Sequence, residues 1–207
     1  MITVVVANLK GGTGKTTSAG YLAHVFHERG LRVLVVDADP QGSALRWQED
    51  ADWPIPVVRL DSAKLHRNLP GITGDDRYDV VVIDTPPGDL PIVASALRLA
   101  THVVVPMAPT SADFERLAAV RELLAEVAPL RADGDEPAAW VLLTKTVANA
   151  AATGVYRELT EDAGVRVLRT RVGNLQRFAQ ATGAPISRAS ASAYGDVADE
   201  LLAEAGR

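Results

Sequence analysis

The stretch Asn-Leu-Lys-Gly-Gly-Thr-Gly-Lys-Thr-Thr, residues 8–17, decides the fold. It follows an apolar run that predicts a strand over residues 3–8, and it opens a helical pattern over residues 15–29. Glycines let the backbone turn tightly and present its N–H groups, and the following helix adds the positive end of its dipole. A glycine-rich turn between a strand and a helix is the context in which proteins bind phosphate groups. Residues 8–17 therefore predict a phosphate loop rather than a glycine turn that only caps a helix.

The side chains of this loop are spaced to contact a nucleoside triphosphate. The Lys15 ammonium can reach the β- and γ-phosphates, the Thr16 hydroxyl is placed to bind Mg²⁺, and Thr17 lies beside the α-phosphate. We therefore expect ATP and Mg²⁺ as ligands. The residues of the loop predicted to bind ATP are Lys10, Gly11, Gly12, Thr13, Gly14, Lys15, Thr16 and Thr17.

Two positions depart from the ordinary phosphate-loop pattern. That pattern requires Gly six residues before Lys15, where this sequence has Leu9, and a second lysine, Lys10, begins the loop. The run Lys-Gly-Gly-Thr-Gly-Lys-Thr resembles the deviant Walker A motif of the ParA/MinD ATPases. The resemblance implies that Lys10 crosses a dimer interface to the phosphates of the partner's nucleotide, so that two ATP molecules lie between two subunits. Lys10 and Lys15 are therefore both expected to act in catalysis.

Short apolar runs alternate with helical patterns along the chain. The predicted strands cover residues 3–8, 33–37, 57–60, 80–84, 102–106, 140–144 and 165–168. The predicted helices cover residues 15–29, 65–69 or longer, 90–100, 112–127, 153–163, 175–182 and 191–205. Residues 47–56 are expected to be irregular, because Pro54 and Pro56 forbid a regular helix there. Strands that are apolar on both faces indicate a parallel sheet covered on both sides. We expect one α/β domain over residues 1–207, a P-loop NTPase with a mainly parallel, twisted sheet of about seven or eight strands and helices on both faces.

Three aspartates come at the carboxyl ends of predicted strands, the edge where open α/β sheets bind ligands. Asp37 and Asp39 follow the second strand, and Asp84 ends the fourth. The resemblance implies that Asp84 holds Mg²⁺ through water, that Asp37 supports the magnesium shell, and that Asp39 positions the attacking water. The expected metal site is thus Thr16, Asp37 and Asp84, and Asp39 is a catalytic residue. Asp37 or Asp84 taken alone is also consistent with a helix cap or a loop acid.

The second half of the chain resembles the family through isolated residues. Lys145 ends the sixth predicted strand, where related proteins contact adenine, and Asn174 stands in an Arg-Asn segment near the base in which Gly173 replaces the arginine. Lys145 and Asn174 complete the expected ATP-binding set. Asp113 either faces the dimer partner or stabilises a helix N-terminus that Thr110 caps.

Composition excludes several classes of protein. The chain has 207 residues, of which 47% are hydrophobic and 23% are charged, as in an ordinary globular domain. Its lack of cysteine excludes disulfides, iron–sulfur clusters, thiolate zinc sites and a cysteine nucleophile. The apolar runs are far shorter than the roughly 20 residues that cross a bilayer. We expect a cytoplasmic, nucleoid-associated protein that does not bind membranes and lacks the N-terminal operator-binding domain of some larger partition ATPases.

Residues 163–195 contain five arginines and no acid, although the net charge of the chain is −5. Lys and Arg bind DNA phosphates without sequence preference. The resemblance implies that the ATP-bound dimer binds nucleoid DNA nonspecifically, and the predicted contacts are Arg169, Arg171 and Arg188. The alternative is a solvated basic strip that pairs with the acidic helix over residues 196–204.

The resemblance therefore implies a ParA-type partition ATPase with weak intrinsic hydrolysis. As a homodimer with ATP it would bind DNA and position a plasmid or chromosome, together with a centromere-binding ParB-like partner that stimulates hydrolysis. Three alternatives stay open. They are a positioning ATPase that moves a protein cargo through a cargo adaptor, a dethiobiotin-synthetase-like ligase that uses ATP on a small acid, and a MinD-like membrane ATPase, which the acidic C-terminal residues disfavour.

Overall fold

A seven-stranded sheet forms the centre of the molecule. The computed structural model describes residues 1–74, 76–148, 150–174, 178 and 181–205. The strands lie in the order β3-β2-β4-β1-β5-β6-β7, and every neighbouring pair is parallel. Their bounds are β1 Ile2–Val6, β2 Val33–Asp37, β3 Val57–Arg59, β4 Val80–Asp84, β5 His102–Met107, β6 Ala138–Leu143 and β7 Arg166–Val167. The α/β fold class and the strand number expected from the sequence are confirmed.

Helices connect the strands and cover both faces of the sheet. They are α1 Lys15–Glu28, α2 Ser43–Ala51, α3 Leu65–Thr73, α4 Leu90–Leu97, α5 Ser111–Val127, α6 Ala151–Asp162 and α7 Ala193–Ala205. Short 3₁₀ turns follow α5 at Ala128–Leu130 and precede α7 at Ala189–Ala191.

The central strands are buried on both faces because alternate side chains enter two different cores. In β1, Val4 and Val6 pack in the core that contains Phe26 of α1, whereas Val5 packs in the opposite core with Leu117 of α5. Strands β2, β4 and β5 are buried along their whole length. Since each buried Val or Ile contributes roughly 1.5–3 kcal/mol, this two-sided burial makes the sheet the rigid part of the molecule.

The strand order reverses at β1, which lies between β4 and β5. After β1 the chain continues to β2, which lies on one side of β1 within the sheet, and β5 later lies on the other side of β1. Such a reversal opens a crevice at the carboxyl ends of the strands. Because residues 8–14 follow β1 directly, the topology puts the phosphate loop in this crevice.

Helix α2 corrects the expectation that residues 47–56 are irregular. Pro54 and Pro56 come after the helix, which ends at Ala51 and is followed by Asp52 with φ 47°. Trp47 is completely buried, and its indole N–H donates to the carbonyl of Ala184 at 2.8 Å. The expectation is therefore wrong for residues 47–51, because the prolines terminate the helix rather than prevent it.

The last predicted elements have mixed outcomes. Strand β7 contains two residues instead of the four predicted, and it pairs only with β6. The helix predicted over residues 175–182 falls largely outside the described residues.

Candidate nucleotide site

The phosphate loop has the backbone conformation that its glycines allow. Gly12 has φ 72° and Gly14 has φ 94°, values in the left-handed region that favours glycine, and Gly14 is the N-cap residue of α1. Asn8 fixes the start of the loop, because its side-chain amide donates to the carbonyl of Pro106 at 2.8 Å and its oxygen accepts the N–H of Lys10 at 3.0 Å. Sequence reasoning assigned Asn8 no role, although a buried amide directly after a central strand indicates a fixed loop.

Two consecutive residues after β6 bind the carbonyls of the same loop. The Thr144 hydroxyl donates to the carbonyl of Thr13 at 3.1 Å, and the Lys145 ammonium donates to the carbonyl of Gly12 at 2.6 Å. Lys145 is predicted to contact adenine, but its side chain contacts the phosphate loop itself. The role of Thr144 was not predicted.

Lys15 folds back across the loop, where its ammonium donates to the carbonyl of Lys10 at 2.9 Å. Only 7% of Lys15 is exposed, and this burial lowers its pKa, while the charges of Asp84 and Asp39 act in the opposite direction. A mostly buried ammonium directed along a phosphate loop is suited to binding an anion. The position agrees with the role predicted for Lys15.

Asp84 and Thr16 meet at the floor of the crevice. The Thr16 hydroxyl donates to Oδ2 of Asp84 at 2.7 Å, while the buried Oδ1 has no hydrogen-bond partner. Complete burial is the main reason that the pKa of Asp84 rises to about 7, with a further contribution from the negative charge of Asp37. A buried carboxylate oxygen without a partner, beside a hydroxyl, fits a hard cation such as Mg²⁺. Thr16 and Asp84 are thus the residues that would hold the ion.

Asp37 lies beside Asp84 but is occupied by the backbone. The two residues are partners in the register of β2 with β4. One carboxylate oxygen of Asp37 accepts the N–H of Asp39 at 3.1 Å, and the other accepts the N–H of Leu45, in the first turn of α2, at 2.9 Å. Burial raises the pKa of Asp37, and these N–H groups act against the rise. Asp37 therefore anchors the start of α2, and its predicted place in the magnesium shell stays a prediction.

Asp39 and the loop line one cavity of about 400 Å³. Asp39 is 8% exposed, and its Oδ1 accepts the N–H of Gln41 at 2.9 Å. The cavity is large enough for a triphosphate and leaves the second carboxylate oxygen available to orient water. Its lining includes Gly11, Gly12, Gly14, Lys15, Thr16, Thr17, Asp39, Pro87 and Lys145.

Lys10 forms an ion pair inside its own subunit with Asp113, at the start of α5. Asp113 is 3% exposed, and its other oxygen accepts the N–H of Ala108 at 2.9 Å. Thr110 caps α5, since its hydroxyl accepts the N–H of Asp113 at 3.3 Å. The helix-capping alternative for this segment is thus confirmed, and Asp113 also holds the lysine that the family resemblance directs toward a partner subunit.

A small apolar pocket of about 60 Å³ adjoins the loop on the side of β6. It is lined by Thr13, Thr17, Asn174, Phe178 and Tyr194, among others. Asn174 donates its backbone N–H to the carbonyl of Thr146 at 2.8 Å, which fixes its position. Phe178 and Tyr194 were not predicted to line this pocket.

The arginines predicted to bind DNA are all exposed. Arg169 lies near Glu200 of α7, with 3.9 Å between Nε and Oε2, but 91% of the Arg169 side chain remains exposed. Glu200 chiefly accepts the backbone N–H groups of Arg169 and Thr170, each at 2.7 Å. The expected pairing with the acidic helix thus exists at one residue and leaves the guanidinium accessible.

Two further features, a cluster of metal-binding side chains and a membrane-spanning helix, are absent from the ranges that the structure describes. Those residues contain no cluster of three or more His, Cys, Asp or Glu side chains that could hold a metal. Magnesium at a phosphate loop needs no such cluster, because nucleotide oxygens and water complete its shell. None of the helices described is both long and apolar enough to cross a membrane.

Known proteins with similar sequences include a carboxysome-distribution protein and a chromosome-partitioning ATPase. The family model described as the CobQ/CobB/MinD/ParA nucleotide binding domain matches residues 4–186. Maintenance of carboxysome distribution protein A from Halothiobacillus neapolitanus is 31% identical over 96% of this chain and 92% of its own length. The chromosome-partitioning ATPase Soj from Thermus thermophilus is 34% identical over 62% of each chain.

Solved structures share the fold. The apo form of McdA from Cyanothece superposes with a TM-score of 0.76 at 18% identity, covering 97% of this chain and 99% of that one. Cobyrinic acid a,c-diamide synthase from Mycobacterium smegmatis, with a bound ATP analog and magnesium, gives a TM-score of 0.79 at 22% identity, covering 100% and 97%. The fold is therefore shared by McdA and by a cobyrinic acid a,c-diamide synthase. By the match over residues 4–186, the chain belongs to the CobQ/CobB/MinD/ParA family of nucleotide-hydrolysing P-loop ATPases.

Proposed function

We propose that this ATPase dimerises around two ATP molecules, binds DNA nonspecifically in that state, and positions a cargo until a partner protein triggers hydrolysis. The observation that carries the proposal is the pair of lysines on one loop. Lys15 lies along the loop, whereas the Lys10 side chain, which is 39% exposed, leaves the loop to pair with the buried Asp113 at the start of α5. A second cation directed away from its own loop is suited to the phosphates of a facing subunit, because those phosphates repel each other unless they are neutralised.

The residues around the cavity divide the reaction between them. Lys15 and the loop N–H groups bind and orient the phosphates, and Asp39 orients the attacking water. Mg²⁺, held by Thr16 and through water by Asp84, would neutralise charge on the β- and γ-phosphates. Phosphoryl transfer depends mainly on placement and neutralisation, and one orienting carboxylate is consistent with weak turnover that a partner accelerates.

DNA is the proposed support for positioning. Arg169, Arg171 and Arg188 are exposed, and dimerisation would double the number of such cations on one particle. Because affinity rises steeply with the number of phosphate contacts, a monomer would bind weakly and the ATP dimer firmly. A protein body is the cargo favoured by the carboxysome-distribution relative, which aligns over 96% of this chain; the Soj relative supports a chromosome or plasmid.

The test combines sizing and a DNA shift assay with ATP, ADP and no nucleotide at several salt concentrations. We expect a dimer and a shift of random-sequence DNA only with ATP. Joint substitution of Arg169, Arg171 and Arg188 by Ala should abolish the shift and leave the dimer intact. Equal DNA binding in all three states would contradict the proposal. Hydrolysis that requires an added small acid would support the ligase alternative instead.

A further inference from the structure

The Asp39 carboxylate belongs to a tight turn whose carbonyl groups all have defined partners. The turn covers residues 39–42, and the N–H of Gly42 closes it by donating to the carbonyl of Asp39 at 2.8 Å. The two carbonyls between them, those of Pro40 and Gln41, each accept a hydrogen bond from an arginine side chain. Surface loops are ordinarily the mobile part of a protein. Arginines on two consecutive carbonyls therefore indicate that this turn is held in one conformation.

Strand β3 brings the first of these arginines, Arg59, to the turn. Arg59 is the last residue of β3 and the register partner of Asp37, which ends β2 just before the turn. Its Nη2 donates to the carbonyl of Pro40 at 2.8 Å. Nε and Nη2 also donate to Oδ2 of Asp61, at 3.1 and 2.7 Å, and these bonds fix the plane of the guanidinium. Because the Arg59 side chain is 46% exposed, it can be replaced without opening a cavity in the core.

A single peptide unit connects Arg59 to the carboxylate of Asp39. The carbonyl of Pro40 and the N–H of Gln41 belong to this planar unit, and a trans peptide directs the two groups to opposite sides. Arg59 holds the carbonyl, while the N–H donates to Oδ1 of Asp39 at 2.9 Å. Rotation of the unit would break both hydrogen bonds together and release one oxygen of the carboxylate. Arg59 therefore controls the orientation of Asp39 through the backbone.

Helix α2 supplies the second arginine. Nη1 of Arg46 donates to the carbonyl of Gln41, the next carbonyl along the turn. A β-carbon placed on Gly42 would lie 3.8 Å from Nη1 of Arg46 and 3.9 Å from Nη1 of Arg59, so the two guanidinium groups lie against the same residue. Asp37, which anchors the start of α2, holds the turn from the inside of the molecule. The two arginines hold it from the outside.

We propose that Arg59 is a positioning residue for ATP hydrolysis: through the carbonyl of Pro40, it keeps the Asp39 carboxylate oriented toward the attacking water. Arg46 supports the same turn. The inference rests on the proposed role of Asp39 in orienting that water. Reaction geometry is demanding, and a misplacement of about 1 Å can slow a reaction on the order of 100-fold. Loss of Arg59 leaves the carboxylate present but poorly oriented, so its effect should be smaller than that of removing Asp39.

The test measures single-turnover hydrolysis and ATP affinity for Arg59→Met, which keeps a long side chain and removes its hydrogen bonds. We expect hydrolysis about tenfold slower and ATP affinity within about twofold of the wild type, the separation typical of a lost positioning contact. Arg59→Lys should recover only part of the rate, because one ammonium cannot reproduce the fork that binds Asp61 and Pro40 together. Arg46→Met should slow hydrolysis about threefold, since the carbonyl it holds is one peptide unit further from Asp39.

Arg32→Met is the matched control. The Arg32 guanidinium donates to the carboxylate of Asp79 at 3.0 and 2.7 Å and to the carbonyl of Asp76, the same kinds of partner that Arg59 has. Arg32 precedes β2, at the end of that strand remote from the nucleotide cavity, and its loss should leave hydrolysis unchanged. Unchanged hydrolysis by Arg59→Met would overturn the proposal. An equal loss in both arginine variants, or a parallel loss of ATP affinity by Arg59→Met, would overturn it too, because either assigns Arg59 a general structural role.

The double variant Asp39→Ala, Arg59→Met tests the route and separates this inference from the proposed function. If Arg59 acts only through Asp39, its loss should slow the wild type and should not slow Asp39→Ala any further. Multiplied losses in the double variant would overturn the proposal. If Asp39→Ala alone hydrolyses ATP normally, the proposed role of Asp39 fails, and this inference fails with it. If Asp39→Ala is slow but Arg59→Met is normal, only this inference fails.

Discussion

The nucleotide edge and the α6 edge use polar and apolar groups in opposite ways. At the nucleotide edge, the Lys15 ammonium and the carboxylates of Asp37, Asp39 and Asp84 are buried and form hydrogen bonds within the chain. Two buried oxygens there, Asp84 Oδ1 and Thr13 Oγ1, have no partner among the described residues. At the α6 edge, threonines are buried and Val155 and Leu159 are exposed. The first region needs a polar ligand to give hydrogen-bond or metal partners to these two oxygens. In the second, the buried Thr153 hydroxyl has no hydrogen-bond partner among the described residues, whereas the apolar side chains of Val155 and Leu159 are exposed.

The largest expected effect removes the central cation of the nucleotide edge. Lys15→Ala should lower the affinity for ATP at least 100-fold, about 3 kcal/mol. The reason is that the charge-assisted contact between the buried Lys15 ammonium and the phosphates is lost. Isothermal titration with Mg²⁺ present measures it. Lys64→Ala, an exposed lysine in front of α3, is the control and should bind normally. A loss below threefold would show that the loop N–H groups alone carry the affinity.

Asp39→Ala should separate ATP binding from chemistry. The variant should bind ATP, form the dimer and hydrolyse ATP about 100-fold more slowly, since only the orientation of water is lost. Phosphate release under single-turnover conditions measures it, against the exposed acid Asp50→Ala as control. Wild-type turnover should itself lie below ~1 s⁻¹, the low end for enzymes. Normal hydrolysis by Asp39→Ala would place the water elsewhere in the cavity.

Asp84 should make the nucleotide-free protein less stable at alkaline pH. The pKa of Asp84 is about 7 in the folded protein, against an ordinary value of 3.8. The free energy of unfolding therefore has its full value below pH 3.8, where Asp84 is protonated in both states, and it falls as the pH rises through about 7. Asp84→Asn should therefore be more stable than the wild type at pH 8, by up to roughly 4 kcal/mol, and equal to it near pH 4. Thermal unfolding without nucleotide measures it. A constant difference across this pH range would contradict the assignment.

The smallest effect concerns the ion pair that holds Lys10. Asp113→Asn should release Lys10 and lower the protein concentration needed for ATP-driven dimerisation about tenfold, or 1.4 kcal/mol, because the pair no longer has to be broken. Light scattering at several protein concentrations measures it. Lys10→Ala is the opposite control and should not dimerise. Weaker dimerisation by Asp113→Asn would show that the carboxylate belongs to the dimer interface instead.

The sequence predicts which residues meet at the nucleotide edge, because most of them are close together along the chain. The spacing of Lys10, Lys15 and Thr16 lies within one loop, and strand patterns place Asp84 at the same edge of the sheet. Contacts over long sequence separations were harder to predict. The anchoring of α2 by Asp37 was not predicted, because Pro54 and Pro56 led to the prediction that residues 47–56 are irregular. The pairing of Lys10 with the buried Asp113 was not predicted either, because it depends on where α5 begins. The orientation of α6 could not be predicted either, since periodicity alone favours burial of Val155 and Leu159.

The contacts that Thr144 and Lys145 make with the phosphate loop have a kinetic consequence. A trans peptide directs its carbonyl and its N–H to opposite sides. Because the carbonyls of Gly12 and Thr13 are held toward the end of β6, the N–H groups of Thr13 and Gly14 point the other way before any nucleotide arrives. The loop then has little conformational entropy to lose on binding. ATP capture should accordingly follow a single, concentration-proportional phase in stopped flow, without a slower step of loop rearrangement.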